Sequence, residues 1–216
     1  MSRTEDIFEL VLRGRAKDIT DKVAEALAAG DDPKQLMNAG MIAAMDEIGE
    51  RFARNELFVP EMMASAKTMQ KGLETLKPHL AADVSTCIGT LVIATVAGDL
   101  HDIGKNLVAM MLESSGFEVI DLGCDVSAER IVTTVKENPN ISIVCCSALL
   151  TTTMPVMKEV VNGLTEAGVR NQVKVLVGGA PVNQEFCNAI GADGYGEDSV
   201  AAIRLAKEIV AAAAAA

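Results

Sequence analysis

Residues 91–106 read Leu91-Val92-Ile93-Ala94-Thr95-Val96-Ala97-Gly98-Asp99-Leu100-His101-Asp102-Ile103-Gly104-Lys105-Asn106, and the change of period inside that stretch decides the fold. Leu91 to Val96 is a short, continuously apolar, β-rich run. Gly98 to Asn106 is a polar loop, and a helical pattern through Val108, Met111 and Leu112 follows it. The same unit then recurs. Strand candidates at Phe117 to Leu122, Ile141 to Cys146, Val173 to Val177 and near Asp193-Gly194 alternate with helices beginning near Ser127, Met154, Asn183 and Asp198. Apolar strands separated by helices predict a parallel sheet covered on both faces with right-handed crossovers. Five strands predict the flavodoxin-like order, with ligands at the strands' C-terminal ends. The first and third strands are then neighbours, so the loops after them converge.

Upstream the period is different. Apolar residues recur at helical spacing over Ile7 to Leu12, Ile19 to Leu27, Leu36 to Phe52 and Met62 to Leu80, with no strand-like alternation between them. Asp32-Pro33 and Val59-Pro60-Glu61 suit helix starts, and Gly30 and Asn55 suit the ends between. The expected architecture is α followed by α/β: a four-helix bundle over residues 1–88, then a Rossmann-like five-stranded parallel sheet over 89–216. Met41, Met45, Met62, Met63 and Met69 concentrate in the last two helices, either as core filling or as a soft cover for a ligand. His79 follows Pro78 at a helix end, where a capping or surface role suffices.

Composition narrows the function. In a chain of 216 residues, half of them hydrophobic, 30 acidic against 19 basic residues give a net charge of −11, which opposes binding to nucleic acid or to an anionic membrane. No secretory leader pattern and no apolar run near ~20 residues is visible, so a cytoplasmic location is expected. The five cysteines are scattered without a CxxC, as in a reduced protein, and Cys145 and Cys146 would face opposite sides of a strand. With no Trp, one Tyr and five Phe, small residues and aliphatic walls must hold any large flat ligand.

The loop chemistry excludes several sites. Neither GxxxxGK[ST] nor GxGxxG follows the first strand, so phosphate cradling lacks its motif. A receiver domain needs an aspartate after the third strand, where Ser147 stands. Catalytic zinc takes three protein ligands, but the chain has only two histidines. A Ser147-His101-Asp99 triad would draw its acid and base from one loop, and GxSxG is missing. A single histidine serving as axial ligand to a large metal macrocycle remains, with Asp99 on the ring nitrogen away from the metal.

Asp99-x-His101-x-x-Gly104, followed by Ser147-x-Leu149 and Gly178-Gly179 at later strand ends, resembles the cobalamin-binding motif of methionine synthase and of the corrinoid proteins of methyltransferase systems. The helical segment resembles that family's cap domain, so the likeness covers nearly the whole chain. It implies that His101 ligates cobalt in place of the cofactor's own dimethylbenzimidazole, with Asp99 and Ser147 completing a relay. Ile103, Gly104, Leu149, Thr151 and Ala180 are the further contacts it implies, Gly104 also allowing tight entry into the next helix and Asp102 capping it. Gly178, Gly179 and the turn Gly194-Tyr195-Gly196 would line a slot for the displaced nucleotide tail, where glycine lets a bulky group pass close to the backbone. Phe52 and Val59 would cover the methyl group from above, Val59 standing where methionine synthase has leucine.

The resemblance further implies a methyl carrier rather than a stand-alone enzyme. It would hold methylcobalamin, or a related corrinoid, and shuttle between a substrate-specific methyltransferase and an acceptor methyltransferase that uses tetrahydrofolate or coenzyme M. A reductive activase would be a further partner, with no nucleic acid or membrane involved. The cap would swing aside about a hinge at Asp83 to Gly89. A cobalamin-dependent sensor is the alternative from another class, and a mutase subunit a third.

Overall fold

The computed structural model describes residues 2–80 and 87–214. The backbone groups into two compact units, Met1–Thr86 with Ser114–Gly116, and Cys87–Glu113 with Phe117–Ala216. Of the expected hinge, residues 83–86 lie outside the described residues.

The first unit is helical: α1 Arg3–Leu12, α2 Ile19–Ala28, α3 Pro33–Gln35, a π stretch Leu36–Ile42, α4 Ala43–Ala53, α5 Val59–Leu76 and a closing 3₁₀ turn Lys77–His79. Local chemistry sets the starts. The Ser2 hydroxyl accepts from the Glu5 amide while the Glu5 carboxylate accepts from the Ser2 amide, and Asp32 caps the turn that Pro33 opens. Met41, Met45, Met62 and Met69 are buried with Ile7, Val11, Ile19 and Val23, which makes them core; Met63 alone of the five is exposed.

The block expected as one helix over Leu36 to Phe52 is continuous, but its first half is π rather than α. The buried side explains why. Leu36, Gly40, Ala44 and Ile48 are buried every fourth residue, and Met37, Met41 and Met45 follow the same step. Four residues carry an ideal α-helix about 400° round, so a stripe of that period drifts by about 40° per step. The wider π turn offsets part of that drift and keeps the stripe on the core.

The second unit is a sheet of β1 Gly89–Thr95, β2 Phe117–Asp121, β3 Ile141–Ser147, β4 Lys174–Gly178 and β5 Gly194–Gly196 in the order β2-β1-β3-β4-β5, every pairing parallel. Between and after the strands run α6 Ile103–Ser114, α7 Ala128–Glu137, α8 Met154–Glu166, α9 Gln184–Ile190 and α10 Ser199–Ala214. This is the flavodoxin-like order that the sequence predicts. On one sheet face Val92, Ala94, Val144, Cys146, Val175 and Val177 pack with Ile131, Val135, Met157, Val160 and Leu164 from α7 and α8. Cys145 and Cys146 are both buried, and burial pushes the Cys146 thiol up to about 12, so neither is a ready nucleophile. Among the described residues no helix is long and apolar enough to cross a membrane.

Pairing in register puts Thr95, Ser147, Gly178 and Gly196 in one row across the strand ends. Just beyond that row Gly179 has φ +117°, and a Cβ there would lie 1.9 Å from the Ala148 carbonyl oxygen. Gly179→Ala is therefore expected to cost about 3 kcal/mol or more in urea unfolding, from backbone strain plus a clash with immovable backbone. Gly30→Ala, where φ is +85° but nothing lies within 4 Å, is expected to cost only about 1 kcal/mol by the same measurement.

Candidate functional site

Asp99 is fully buried, and its carboxylate organises the loop after β1. Oδ1 accepts from His101 Nδ1 at 2.7 Å and from the His101 amide at 3.1 Å. Oδ2 accepts from the Leu149 amide at 2.7 Å, the Leu150 amide at 3.1 Å and the Thr153 hydroxyl at 2.9 Å. The convergence expected of the loops after β1 and β3 is thus made by hydrogen bonds to one carboxylate. Burial alone would raise its pKa, but the donors from Leu149, His101 and Thr153 outweigh that and hold it well below the usual carboxylate range. An ionised carboxylate only accepts, so the proton between the pair sits on Nδ1. Nε2 has no hydrogen bond among the described residues.

The relay expected through Ser147 is corrected by this geometry. Ser147 is the last residue of β3, its carbonyl accepting from the Val96 amide at 3.1 Å, and its hydroxyl is not among the five donors to Asp99. The hydroxyl on the carboxylate is that of Thr153, a buried residue at the N-cap of α8. Thr153 Oγ1 is also 2.9 Å from the Leu150 carbonyl, and its single proton favours the charged acceptor. A hydroxyl just before a helical pattern was the available signal in the sequence.

Around this pair lies apolar surface that a folded chain ordinarily buries. Leu100 is 74% and Ile103 87% exposed, and Leu149 and Leu150, whose amides hold Asp99, are exposed as well. The His101 side chain is 52% exposed. Thr151 is exposed in the same turn as Leu149, and Ala180 is exposed in the turn after β4.

Gly104 departs from its expected role. It sits in the first turn of α6 with no positive φ, and a Cβ there would meet nothing within 4 Å, so tight helix entry does not require it. Its bare face is open space. Asp102 stands just before α6, its carbonyl accepting from the Asn106 amide at 2.7 Å, but its carboxylate accepts from the Asn106 side chain at 3.0 Å rather than from a first-turn backbone amide.

The glycines expected to line a tail slot also pack closely within the protein. A Cβ on Gly178 would meet the Gly196 carbonyl at 3.0 Å, one on Gly194 the Leu176 side chain at 2.7 Å, and one on Gly196 the Ala202 Cβ at 3.1 Å. Packing within the protein accounts for each. Tyr195 is half-buried opposite Val177 and packs on the sheet core. In the helical unit, Phe52 is half-buried near the end of α4 and Val59 opens α5 with its side chain exposed. Phe58, which the sequence reading passed over, is 73% exposed.

Among the described residues no three His, Cys, Asp or Glu side chains are grouped to hold a metal ion. A metal at His101 must therefore bring most of its own ligands. One oriented imidazole nitrogen, an exposed aliphatic collar and an open glycine face fit the underside of a metal macrocycle, the group that the motif implies.

Comparison with known proteins gives the family. Residues 89–204 match the family model described as a B12 binding domain, and residues 4–77 match a second B12 binding domain model. The chain is 45% identical over 200 residues to trimethylamine corrinoid protein 2 of Methanosarcina mazei, covering 89% of this chain and 91% of that protein. It is 41% identical over 218 residues to dimethylamine corrinoid protein 1 of Methanosarcina acetivorans, covering 98% of this chain and all (100%) of that one. Among solved structures, the methanol:cobalamin methyltransferase complex MtaBC from Methanosarcina barkeri matches with a TM-score of 0.86 at 33% identity, over 97% of this chain and 80% of that one. A cobalamin-binding protein from Desulfitobacterium hafniense matches with a TM-score of 0.79 at 35% identity, over 95% and 98% of the two chains. The chain belongs to the B12-binding family of corrinoid proteins, and its cofactor is cobalamin or a related corrinoid.

Proposed function

We propose that this protein is the methyl-carrying corrinoid subunit of a methylamine methyltransferase system, built as a helical cap over 1–88 and a corrinoid-binding domain over 89–216. The observation that carries the reading is the five-donor Asp99 carboxylate, which orients His101 inside an exposed aliphatic collar. When bound, the corrinoid supplies a cobalt centre that accepts and releases a methyl group.

The chain's own residues do the rest. His101 Nε2 would hold the metal, with Asp99 fixing the imidazole and its tautomer through Nδ1. Leu100, Ile103, Leu149 and Leu150 would exclude water around that nitrogen. Gly104 leaves room for the macrocycle, with Ser147 and Thr151 beside it. Gly178, Gly179, Ala180, Gly194, Tyr195 and Gly196 border the path of the nucleotide tail. Phe52 and Val59 of the helical unit keep the role that the resemblance gives them, as cover of the methyl group.

A trimethylamine or dimethylamine donor is favoured over methanol, because the relatives so named are 41–45% identical and the methanol system's chain 33%. The partners in this reading are a substrate-specific methyltransferase, an acceptor methyltransferase working on coenzyme M or tetrahydrofolate, and a reductive activase.

Reconstitution with hydroxocobalamin tests the ligand. Wild type is expected to give the absorbance of a base-off, histidine-ligated corrinoid, and His101→Gln to lose it; identical spectra would remove His101 from the metal. Gly104→Ala is expected to leave the corrinoid-free chain as stable or up to about 1 kcal/mol more stable, by helix propensity, while weakening corrinoid uptake at least tenfold in equilibrium titration. Asp99 supplies a pH signature. Its folded pKa is depressed, so its contribution is complete above the unfolded value of about 3.9 and is lost as pH falls below it. Asp99→Asn is expected to lower unfolding free energy by about 2–3 kcal/mol at pH 7, with the gap to wild type closing below about pH 4 in urea titrations.

A further inference from the structure

The loop between β2 and α7, residues 122–127, entered none of the readings above, yet it holds the histidine loop on the side away from β3. Asp125 carries the argument. It is not glycine, but its φ is +53°, a left-handed conformation that most side chains avoid and aspartate tolerates. In that conformation its amide donates to the Asp99 carbonyl at 3.0 Å while its carboxylate accepts from the Gly98 amide at 2.7 Å. One residue thereby grips the main chain on both sides of the Gly98–Asp99 peptide. Strained backbone of this kind persists where the surrounding contacts impose it.

Thr95 grips from the other end. It is fully buried at the end of β1, and its hydroxyl donates to the His101 carbonyl at 3.0 Å. Its own main chain is fixed to the same loop, the Thr95 amide donating to Gly123 at 2.9 Å and the Val126 amide donating to Thr95 at 3.1 Å. The loop is anchored in turn at Asp121, which accepts from the Gly123 amide at 2.8 Å and pairs with the buried ammonium of Lys105, one turn after His101 on α6. The contacts close into a ring that begins and ends beside His101. Asp99 orients the imidazole; this ring fixes the backbone that carries both residues.

We propose that Asp125 and Thr95 are positioning residues for the axial ligand: they hold the 98–101 main chain so that His101 meets the metal without reorganisation. The inference rests on His101 being the ligand, as read above. Neither residue touches the corrinoid in this account. Each acts through backbone, which makes the side-chain chemistry separable. Asp125→Asn keeps an acceptor and tolerates the left-handed conformation, whereas Asp125→Gly keeps the conformation and deletes the acceptor. Thr95→Ser keeps the hydroxyl, whereas Thr95→Val keeps the shape and deletes it.

The full-length chain is measured in two states. Without corrinoid, amide hydrogen exchange at Gly98 is expected to quicken at least tenfold in Asp125→Gly and to stay near wild type in Asp125→Asn. Reconstituted with hydroxocobalamin, Asp125→Gly and Thr95→Val are expected to show a severalfold smaller histidine-ligated fraction by absorbance, with Asp125→Asn and Thr95→Ser restoring it. A wild-type ligated fraction in both Asp125→Gly and Thr95→Val would overturn the inference, as would equal losses in the conservative variants, which mark general damage. His101→Gln, run alongside, separates the two ideas: a wild-type spectrum there sinks the ligand assignment itself, whereas an altered one with unaffected clamp variants sinks only the positioning role.

Discussion

A buried, ionised carboxylate with five donors is the constraint on which the rest of this structure depends. Removing a carboxylate from water is costly by several kcal/mol unless hydrogen bonds replace the solvent. Asp99 finds those bonds in its own loop, in the turn after β3 and at the start of α8. These groups meet only if β1 and β3 are neighbours in register, which the sheet order provides. The histidine inherits its orientation from this arrangement, and the exposed Leu100, Ile103, Leu149 and Leu150 are by-products of where the turns must run. One oriented imidazole nitrogen among exposed aliphatic side chains follows from satisfying one charge.

Two classes of glycine sit in the motifs, and they have opposite physical grounds. Gly179 is small because the Ala148 backbone leaves no room for a Cβ, while at Gly178, Gly194 and Gly196 a Cβ would press on a neighbouring carbonyl or side chain of this protein. Gly104 is small although the protein leaves ample room. Only the second kind points outward, to something the chain must accommodate. A glycine pattern by itself does not separate the two; the distances do.

Much of this was legible from residues alone. The switch from helical period to apolar runs marked where the sheet begins, at Gly89, and the strand order followed from five strands in βα alternation. The pairing of Asp99 with His101 was expected once other sites for the loop were excluded and the motif Asp99-x-His101-x-x-Gly104 was recognised as a resemblance. Less legible was the hydroxyl on Asp99. Ser147 and Thr153 both follow β3, and which one returns to the carboxylate depends on the path of a turn that residue types do not specify. The π stretch left its trace in burial every fourth residue from Leu36 to Ile48, but that spacing is close enough to 3.6 to pass as an ordinary helix. Asp125 and Thr95 bond to main chain, and such contacts leave no partner side chain to recognise.

The span of the Asp99 contacts also bears on when the site comes into being. Its bonds to Leu149 and Thr153 bridge 50 and 54 residues, whereas its bond to His101 bridges two. Loop-closure entropy delays long-range parallel pairing during folding. A nascent chain can make the local Asp99–His101 bond early, but the donors that stabilise the charge arrive only after β3 has paired with β1. Ligand geometry is thus a late product of folding, and a chain whose central strands are out of register has no oriented histidine to offer.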